Sequence, residues 1–321
     1  MKRLFAAVFV FVLALPVAAA AADWPTKPVR MIVAFAAGGP SDAAGRAYAE
    51  ALSAAFGQQF IVENRTGGGG LPAAEAVARA EPDGYTLLVS GIPNLVLQPA
   101  MSNVSYDPIR DFTHIAYFGG ISNAVVVHPS LGIRTYQEFP ARVRAEPGGF
   151  EYLSAGFGSM GYWVGEYIAA KENIKLTHVA YRGGSVAVFD LLAGHVKVGM
   201  LSFSSSAGHV KDGKLVALAA ASAERLPYAP ELPTLKEIWG TDFSSTTWFS
   251  LSGPAGMPAD IVARINREVI KAMDRPEVRK QIDIHTIESK AMTPAEFTAL
   301  VVKERDRWTP IIKKIMSEKP Q

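Results

Sequence analysis

VRMIVAFAAGGPSD, residues 29–42, is the stretch whose reading decides the fold. Val29 to Phe35 form a nearly continuous apolar run, as a parallel strand buried on both faces requires. The turn from Phe35 to Asp42 follows. Beyond it SDAAGRAYAEALSAAFG has the periodicity of an amphipathic helix, with Ser41 or Asp42 expected as N-cap and Gly57 just past the last turn. A glycine turn placed between strand and helix exposes the first backbone N–H groups of that helix. Together with the positive end of the helix dipole they make an anion site that needs no charged side chain.

Working outward, the chain continues with the strand QFIVENR, the run Gly67 to Gly70, a helix through Ala73 to Ala80, the turn Pro82-Asp83-Gly84 and the strand YTLLVS. This order is βαβαβ, so the fold class is α/β with an open, mostly parallel sheet flanked by helices. The same order recurs about 120 residues later. There the strand FEYLSA leads into a second glycine turn, SAGFGSMG (Ser154 to Gly161). The helix YWVGEYIAAKEN, the strand LTHVAY, the helix SVAVFDLLAG and the strands VKVGMLS and KLVALAAAS follow. GGLPAAEAVARAEPDGYTLLVS and GGSVAVFDLLAGHVKVGMLS both run glycine pair, helix, short turn, strand. The reading is a pseudo-repeat of two similar lobes.

AVVVHPS (Ala124 to Ser130) and TTWFSLSGPAG (Thr246 to Gly256) are the expected crossovers between lobes. The expected division is therefore lobe 1 from residues 23–123, lobe 2 from residues 124–245, and a return crossover with C-terminal helices from residues 246–321. Pro258 to Met273 and Thr293 to Ile315 have helical periodicity, the second opening with a capping box, Thr293 with Glu296 three residues on. Two crossings predict a hinge beside a cleft, and ligands of open α/β sheets bind outside the carboxyl ends of the strands, where both glycine turns lie.

The N-terminus states where such a cleft operates. Lys2 and Arg3 precede an apolar run from Leu4 to Leu15, and Ala20-Ala21-Ala22 offers a cleavage site before Asp23, the pattern of a secretory signal peptide over residues 1–22. The apolar run is short for the roughly 20 residues that span a bilayer. No cysteine stands at the cleavage site to carry a lipid, and a cysteine-free chain suits an oxidising compartment such as the periplasm. Removing 22 residues from 321 leaves 299, enough for two domains at roughly 150 residues each. Without Lys2 and Arg3 the mature chain has 30 basic and 30 acidic side chains, a balance that argues against nucleic acid or an anionic membrane as partner.

Enzyme motifs are weak or missing. Gly156 to Gly161 fits G-x-G-x-x-G after a strand, and Arg182 near the end of the next strand nominally suggests an NADP-dependent oxidoreductase. Export removes that cofactor supply. No G-x-S-x-G occurs, the six histidines are scattered without metal-ligand spacing, and Gly67 to Gly70 lacks the Lys of a P-loop. The reading is a non-enzyme with no cofactor and no metal.

WPTKPVRMIVAFAAGGPSD, ARAEPDGYTLLVS, the SAGFGS turn with THVAYRGG and DLLAGHV, and LPTLKEIW with WFSLSGPAGMP together resemble the Bug-type (TctC-like) periplasmic solute-binding receptors. The likeness runs in order along essentially the whole mature chain. It implies a two-lobed periplasmic binding protein of type II, a Venus flytrap. It also implies a small carboxylate, a di- or tricarboxylate or an aromatic acid, held between the lobes for the membrane subunits of a tripartite tricarboxylate transporter. A sensor kinase is the alternative recipient, and the receptor is expected to be a monomer. Matching the family's turns residue by residue places Ala37, Gly38, Gly39 and Ser41 in the first ligand contact and Ser154, Gly156, Gly158 and Ser159 in the second. Gly91 and Asn94 after the third strand, and Tyr181 and Gly183 after a strand of the second lobe, complete the expected site. Two departures stand out: Ala36 and Ala37 replace the family's prolines, and Tyr162 replaces a histidine common among relatives, which points to a more aromatic pocket. Trp163, Trp248 and Asp190 are read as packing and structural residues.

Overall fold

In the computed structural model, which describes residues 24–318 apart from residues 36, 68–69 and 182, both pseudo-repeats take the same parallel topology. The leader of residues 1–22, Ala36 and Arg182 lie outside the described residues. The first repeat runs β1 (Val29–Val33), α1 (Pro40–Phe56), β2 (Phe60–Asn64), α2 (Leu71–Ala78) and β3 (Thr86–Gly91). β1 lies between β2 and β3, parallel to each, with Val29 opposite Phe60 and Arg30 opposite Thr86. Four of the five residues of β1 are buried, as the continuous apolar run demands.

A π-helical turn (Pro93–Leu97) then passes straight into the short α3 (Gln98–Met101). β4 (Phe112–Val127) follows, and after it α4 (Glu138–Arg144). The second repeat is β5 (Phe150–Ser154), α5 (Met160–Glu172), β6 (Leu176–Ala180), α6 (Gly184–Ala193) and β7 (Val198–Ser202). β5 lies between β6 and β7, parallel to both, as β1 does between its neighbours. α7 (Phe203–Lys211), β8 (Val216–Ala220), α8 (Leu235–Trp239), β9 (Thr246–Pro254), α9 (Ala259–Ala272), α10 (Pro276–Ile284) and α11 (Pro294–Glu318) complete the described chain.

The two parallel trios are joined by antiparallel strands, in the order β2-β1-β3-β9-β4-β7-β5-β6 with β8 also on β4, so the sheet is mixed. β4 is the shared member: Phe112 to Ser122 pair with β9, and Asn123 to Val127 pair with β7. The segment FTHIAYFGGISN, ahead of the expected crossover, is thus strand. Its glycines and interspersed polar residues hide the pattern, and its pairing partner lies more than a hundred residues away. Where β4 changes partner, Ala221 N–H donates to Asn123 O and Ser245 N–H to Ala221 O, tying the passing segments side by side.

Three apolar clusters hold these layers. One packs α1, α9 and α10 on one face of β1, β3 and β9, and another packs α6 and α7 against β4 and β7. The third is continuous through both halves, from Ile32 and Leu88 to Tyr152, Trp163 and Trp248, and α11 covers part of it with Phe297, Val301, Trp308, Ile312 and Ile315. Those five fall on one face of a 3.6-residue helix. Trp163 and Trp248 are core residues, 1% and 2% exposed. The Thr293–Glu296 capping box forms, with Glu296 N–H donating to Thr293 Oγ1 at 3.2 Å and Thr293 N–H to Glu296 Oε2 at 2.8 Å.

Candidate functional site

The first turn starts its helix two to three residues earlier than the sequence suggests. The N-cap of α1 is Gly39, neither Ser41 nor Asp42, because Pro40 with its fixed φ takes the first helical position. Asp42 then sits inside the first turn, 3% exposed, and its carboxylate reaches back. It accepts Gly38 N–H at 2.9 Å, Arg46 Nε at 2.9 Å and Asn64 Nδ2 at 2.8 Å, while Arg46 Nη2 donates to Asn64 Oδ1 at 2.9 Å. Burial pushes the Asp42 carboxyl up, and the hydrogen bonds from Arg46, Gly38 and Asn64 outweigh it, holding the group below its ordinary range. The negative charge is therefore paired and Gly38 N–H is committed. Gly39 and Ser41 keep first-turn N–H groups for which a helix supplies no acceptor. The Ser41 hydroxyl is buried with no hydrogen-bond partner among the described residues, which is costly unless something else satisfies it.

The second turn is built on a serine pair. Ser159 caps α5, its Oγ accepting Tyr162 N–H at 3.2 Å. Ser154, fully buried at the end of β5, lies beneath the turn: its Oγ accepts Gly156 N–H at 3.1 Å and Ser159 Oγ–H at 3.2 Å, and lies 2.7 Å from His178 Nε2 on β6. Asn64 and His178 thus fix the two turns from the neighbouring strands. No local pattern marks either residue, since each meets its turn only through strand pairing.

The segment 93–101 brings the turns to one place. Gly70, with φ at +86°, has Asn94 and Ala34 so close that a Cβ there would lie 2.0 Å from Asn94 Nδ2 and 2.8 Å from Ala34 Cβ. Ala34 leads directly into the first turn. One helical turn along from Asn94 is Gln98, and a Cβ at Gly158 would lie 3.0 Å from its Nε2 and 3.1 Å from Met101 Sδ, with φ at +75°. Four helical residues rise about 6 Å, so one short rib runs from Gly70 and Ala34, next to the first turn, to Gly158 in the second. Asn94 is fully buried within that rib. Gln98 and Met101 are absent from the sequence-based site, because only the fold sets them against Gly158.

Other expected residues have different surroundings. Gly91 ends β3, buried, where a Cβ would lie 1.9 Å from Trp248 O, so it serves the close approach of β3 to β9. Tyr162 is 5% exposed and packs edge-on against Trp163 and His178. Tyr181 donates its hydroxyl to Asp190, which His195 also approaches at 3.3 Å. Gly183 caps α6. Gly161 has its α-carbon against β7, a Cβ falling 2.1 Å from Met200 O, so this last glycine of the G-x-G-x-x-G spelling serves helix–strand packing. An open depression of about 480 Å³ borders the end of the rib, lined by Pro99, Ala100, Ser102, Arg110 and Arg305 among others, and holds no residue of either turn. Among the described residues no group of His, Asp and Glu could hold a metal ion, and no helix is long and apolar enough to cross a membrane.

Two similar parallel α/β units, each with a glycine turn between its first strand and helix and joined through shared antiparallel strands, have the build of the two-lobed binding proteins. Within that class, the sequence profile of the tripartite tricarboxylate transporter family receptor matches residues 44–316, and the chain belongs to that family. It is similar to protein BugT of Bordetella pertussis, 28% identical over 317 residues that cover 98% of this chain and 97% of BugT. Among solved structures it is similar to MatC from Rhodopseudomonas palustris with bound malate, at a TM-score of 0.80 and 28% identity over 90% of this chain and 100% of MatC. A second R. palustris protein, solved with adipate, has a TM-score of 0.81 and 27% identity over 91% of this chain and 98% of that one.

Proposed function

We propose that this protein is an exported receptor that closes two lobes around a small carboxylate in the periplasm and delivers it to the membrane subunits of a tripartite tricarboxylate transporter. The leader of residues 1–22 is removed on export. Lobe 1 comprises residues 23–123 with the C-terminal residues 246–321, and lobe 2 comprises residues 124–245. The observation that carries this reading is a buried hydroxyl, Ser41 Oγ, without a partner among the described residues in the first glycine turn, with the 93–101 rib running from Ala34 beside that turn to Gly158 in the second. A carboxylate, with two acceptor oxygens, can take both a backbone N–H and that hydroxyl. The malate and adipate held by the two relatives favour the same chemistry. Bonds from one ligand to both turns favour the closed state over the open one, which is the differential affinity that closure requires.

In this mechanism each residue has a plain task. Gly39 and Ser41 donate to the carboxylate, and Asp42, Arg46 and Asn64 hold that turn in shape. Ala37, Gly38 and Gly91 shape the backbone around it. Asn94 and Gln98 form the floor. Ser159, with Gly156 and Gly158, brings the second lobe down, over a scaffold of Ser154 and His178, while Tyr162, Tyr181 and Gly183 line its side. A thermal-shift screen of the mature protein against carboxylic acids, with calorimetry on the hits, tests the reading, because a ligand that binds only the native state stabilises it by RT ln(1 + [L]/Kd). Carboxylates are expected to raise the melting temperature and NADPH to leave it unchanged. The reverse result defeats the proposal.

A further inference from the structure

The second turn carries an aromatic side chain with nothing over it. Phe157 is 63% exposed, yet its ring packs on Tyr162 at 4.8 Å between centroids, and Tyr162 is itself clamped by Trp163 and His178 at 4.9 and 4.8 Å. An exposed phenyl ring on a fixed aromatic base is a platform with little side-chain entropy left to lose. The next residue, Gly158, abuts Gln98 and the thioether of Met101, so the platform stands beside the point where the second turn meets the 93–101 segment. The adjacent turn continues the character. Gly156 touches the Tyr181 carbonyl, and α6, which starts just beyond, exposes Val186 and Phe189 on one helix face. Among the described residues the two most exposed large apolar side chains are Phe189, within α6, and Phe157, in the second turn.

Charge points the same way. The first turn offers backbone N–H groups and one hydroxyl, sufficient for a single carboxylate. Of the cations on its flanks, Arg46 is committed to Asp42 at 2.9 Å, while Glu63 is held by Arg30 at 2.7 Å and leaves Arg65 only a 3.9 Å approach. Accepting the carboxylate-receptor reading above, we infer that the ligand is a monocarboxylate with an aromatic or similarly bulky apolar body, its carboxylate at the first turn and its body against Phe157.

Isothermal calorimetry on the mature protein with benzoate, phenylacetate, 3-phenylpropionate and hexanoate, against malate, adipate and citrate, tests this directly. The apolar monocarboxylates are expected to bind at least about tenfold tighter than the polyacids. Phe157→Ala is expected to weaken 3-phenylpropionate about tenfold, the scale of an aromatic contact plus its buried area, with the melting temperature of the free protein nearly unchanged because the ring is exposed. Phe157→Tyr restores the affinity. Tight binding of malate, adipate or citrate with no preference for the apolar acids overturns this inference and leaves the receptor reading standing. So does an aryl affinity indifferent to Phe157→Ala. Binding of no carboxylate at all overturns both.

Discussion

Asp42→Ala tests how the first turn is held, and its size follows from the geometry. The Asp42 carboxylate is 4% exposed and accepts three hydrogen bonds, from Gly38 N–H, Arg46 and Asn64. Hydrogen bonds to a charged group contribute about 1.5–3 kcal/mol each, but not all three are lost in full. The Arg46 side chain is 51% exposed and re-enters water on its own, so its share is at most about 1 kcal/mol. Asn64 keeps a second acceptor, Phe35 O at 3.0 Å. The net loss is about 3 kcal/mol, which at roughly 2 °C per kcal/mol for a chain of this size lowers the melting temperature by about 6 °C. The pH dependence carries a sign as well. The folded pKa of Asp42 lies below its unfolded value, so its stabilising effect is complete above about pH 4 and disappears as pH falls through the folded pKa. Melting curves by circular dichroism at pH 7, and in steps down to pH 3, should show the wild type and variant about 6 °C apart at neutral pH and converging in acid. A gap under about 2 °C at pH 7, or one that widens on acidification, refutes the role given to this carboxylate.

Three further outcomes are expected. Ser41→Ala removes a buried hydroxyl without a partner, so the free protein should melt within about 2 °C of wild type while carboxylate affinity by calorimetry falls about tenfold; unchanged affinity places the ligand elsewhere. Gly158→Val puts a branched side chain at φ +75° and against Gln98 and Met101, and should lower affinity at least tenfold with about 1–3 kcal/mol of strain, a result that normal binding and melting would contradict. His114 is buried between Ser252 Oγ and Pro108 O, and burial pushes its imidazole down to about 4. The unfolded chain protonates near pH 6.5 and the native one does not. Up to about 3 kcal/mol is therefore lost as pH falls from 6.5 to 4, and His114→Phe should melt with a shallower dependence across that interval than wild type.

The repeat was legible from the sequence because buried parallel strands are continuous apolar runs and glycine or proline punctuates their connections. β1, β3 and β5 announce themselves that way, and the two glycine turns follow from their place between strand and helix. β4 escaped because His114, Gly119, Gly120 and Ser122 interrupt its pattern, and its stability comes from pairing with β9 over most of its length. The N-cap of α1 was misplaced because a serine and an aspartate after a glycine look like caps until Pro40 claims the first helical position. Asn64, Gln98, Met101 and His178 could not be found locally, for each contributes through an element remote in sequence from the turn it touches.

By itself, the sequence determined that two glycine turns exist, that each opens a helix, and that an anion suits them, since these are properties of backbone and short-range pattern. Only the tertiary structure decided which donors remain. Folding commits Gly38 N–H to Asp42, leaves the Ser41 hydroxyl without a partner among the described residues, sets Gly158 of the second turn against Gln98 and Met101, and stands Phe157 on a base of Tyr162. The reason is that hydrogen-bond satisfaction and exposure depend on neighbours far away in the chain, which no local stretch of sequence encodes.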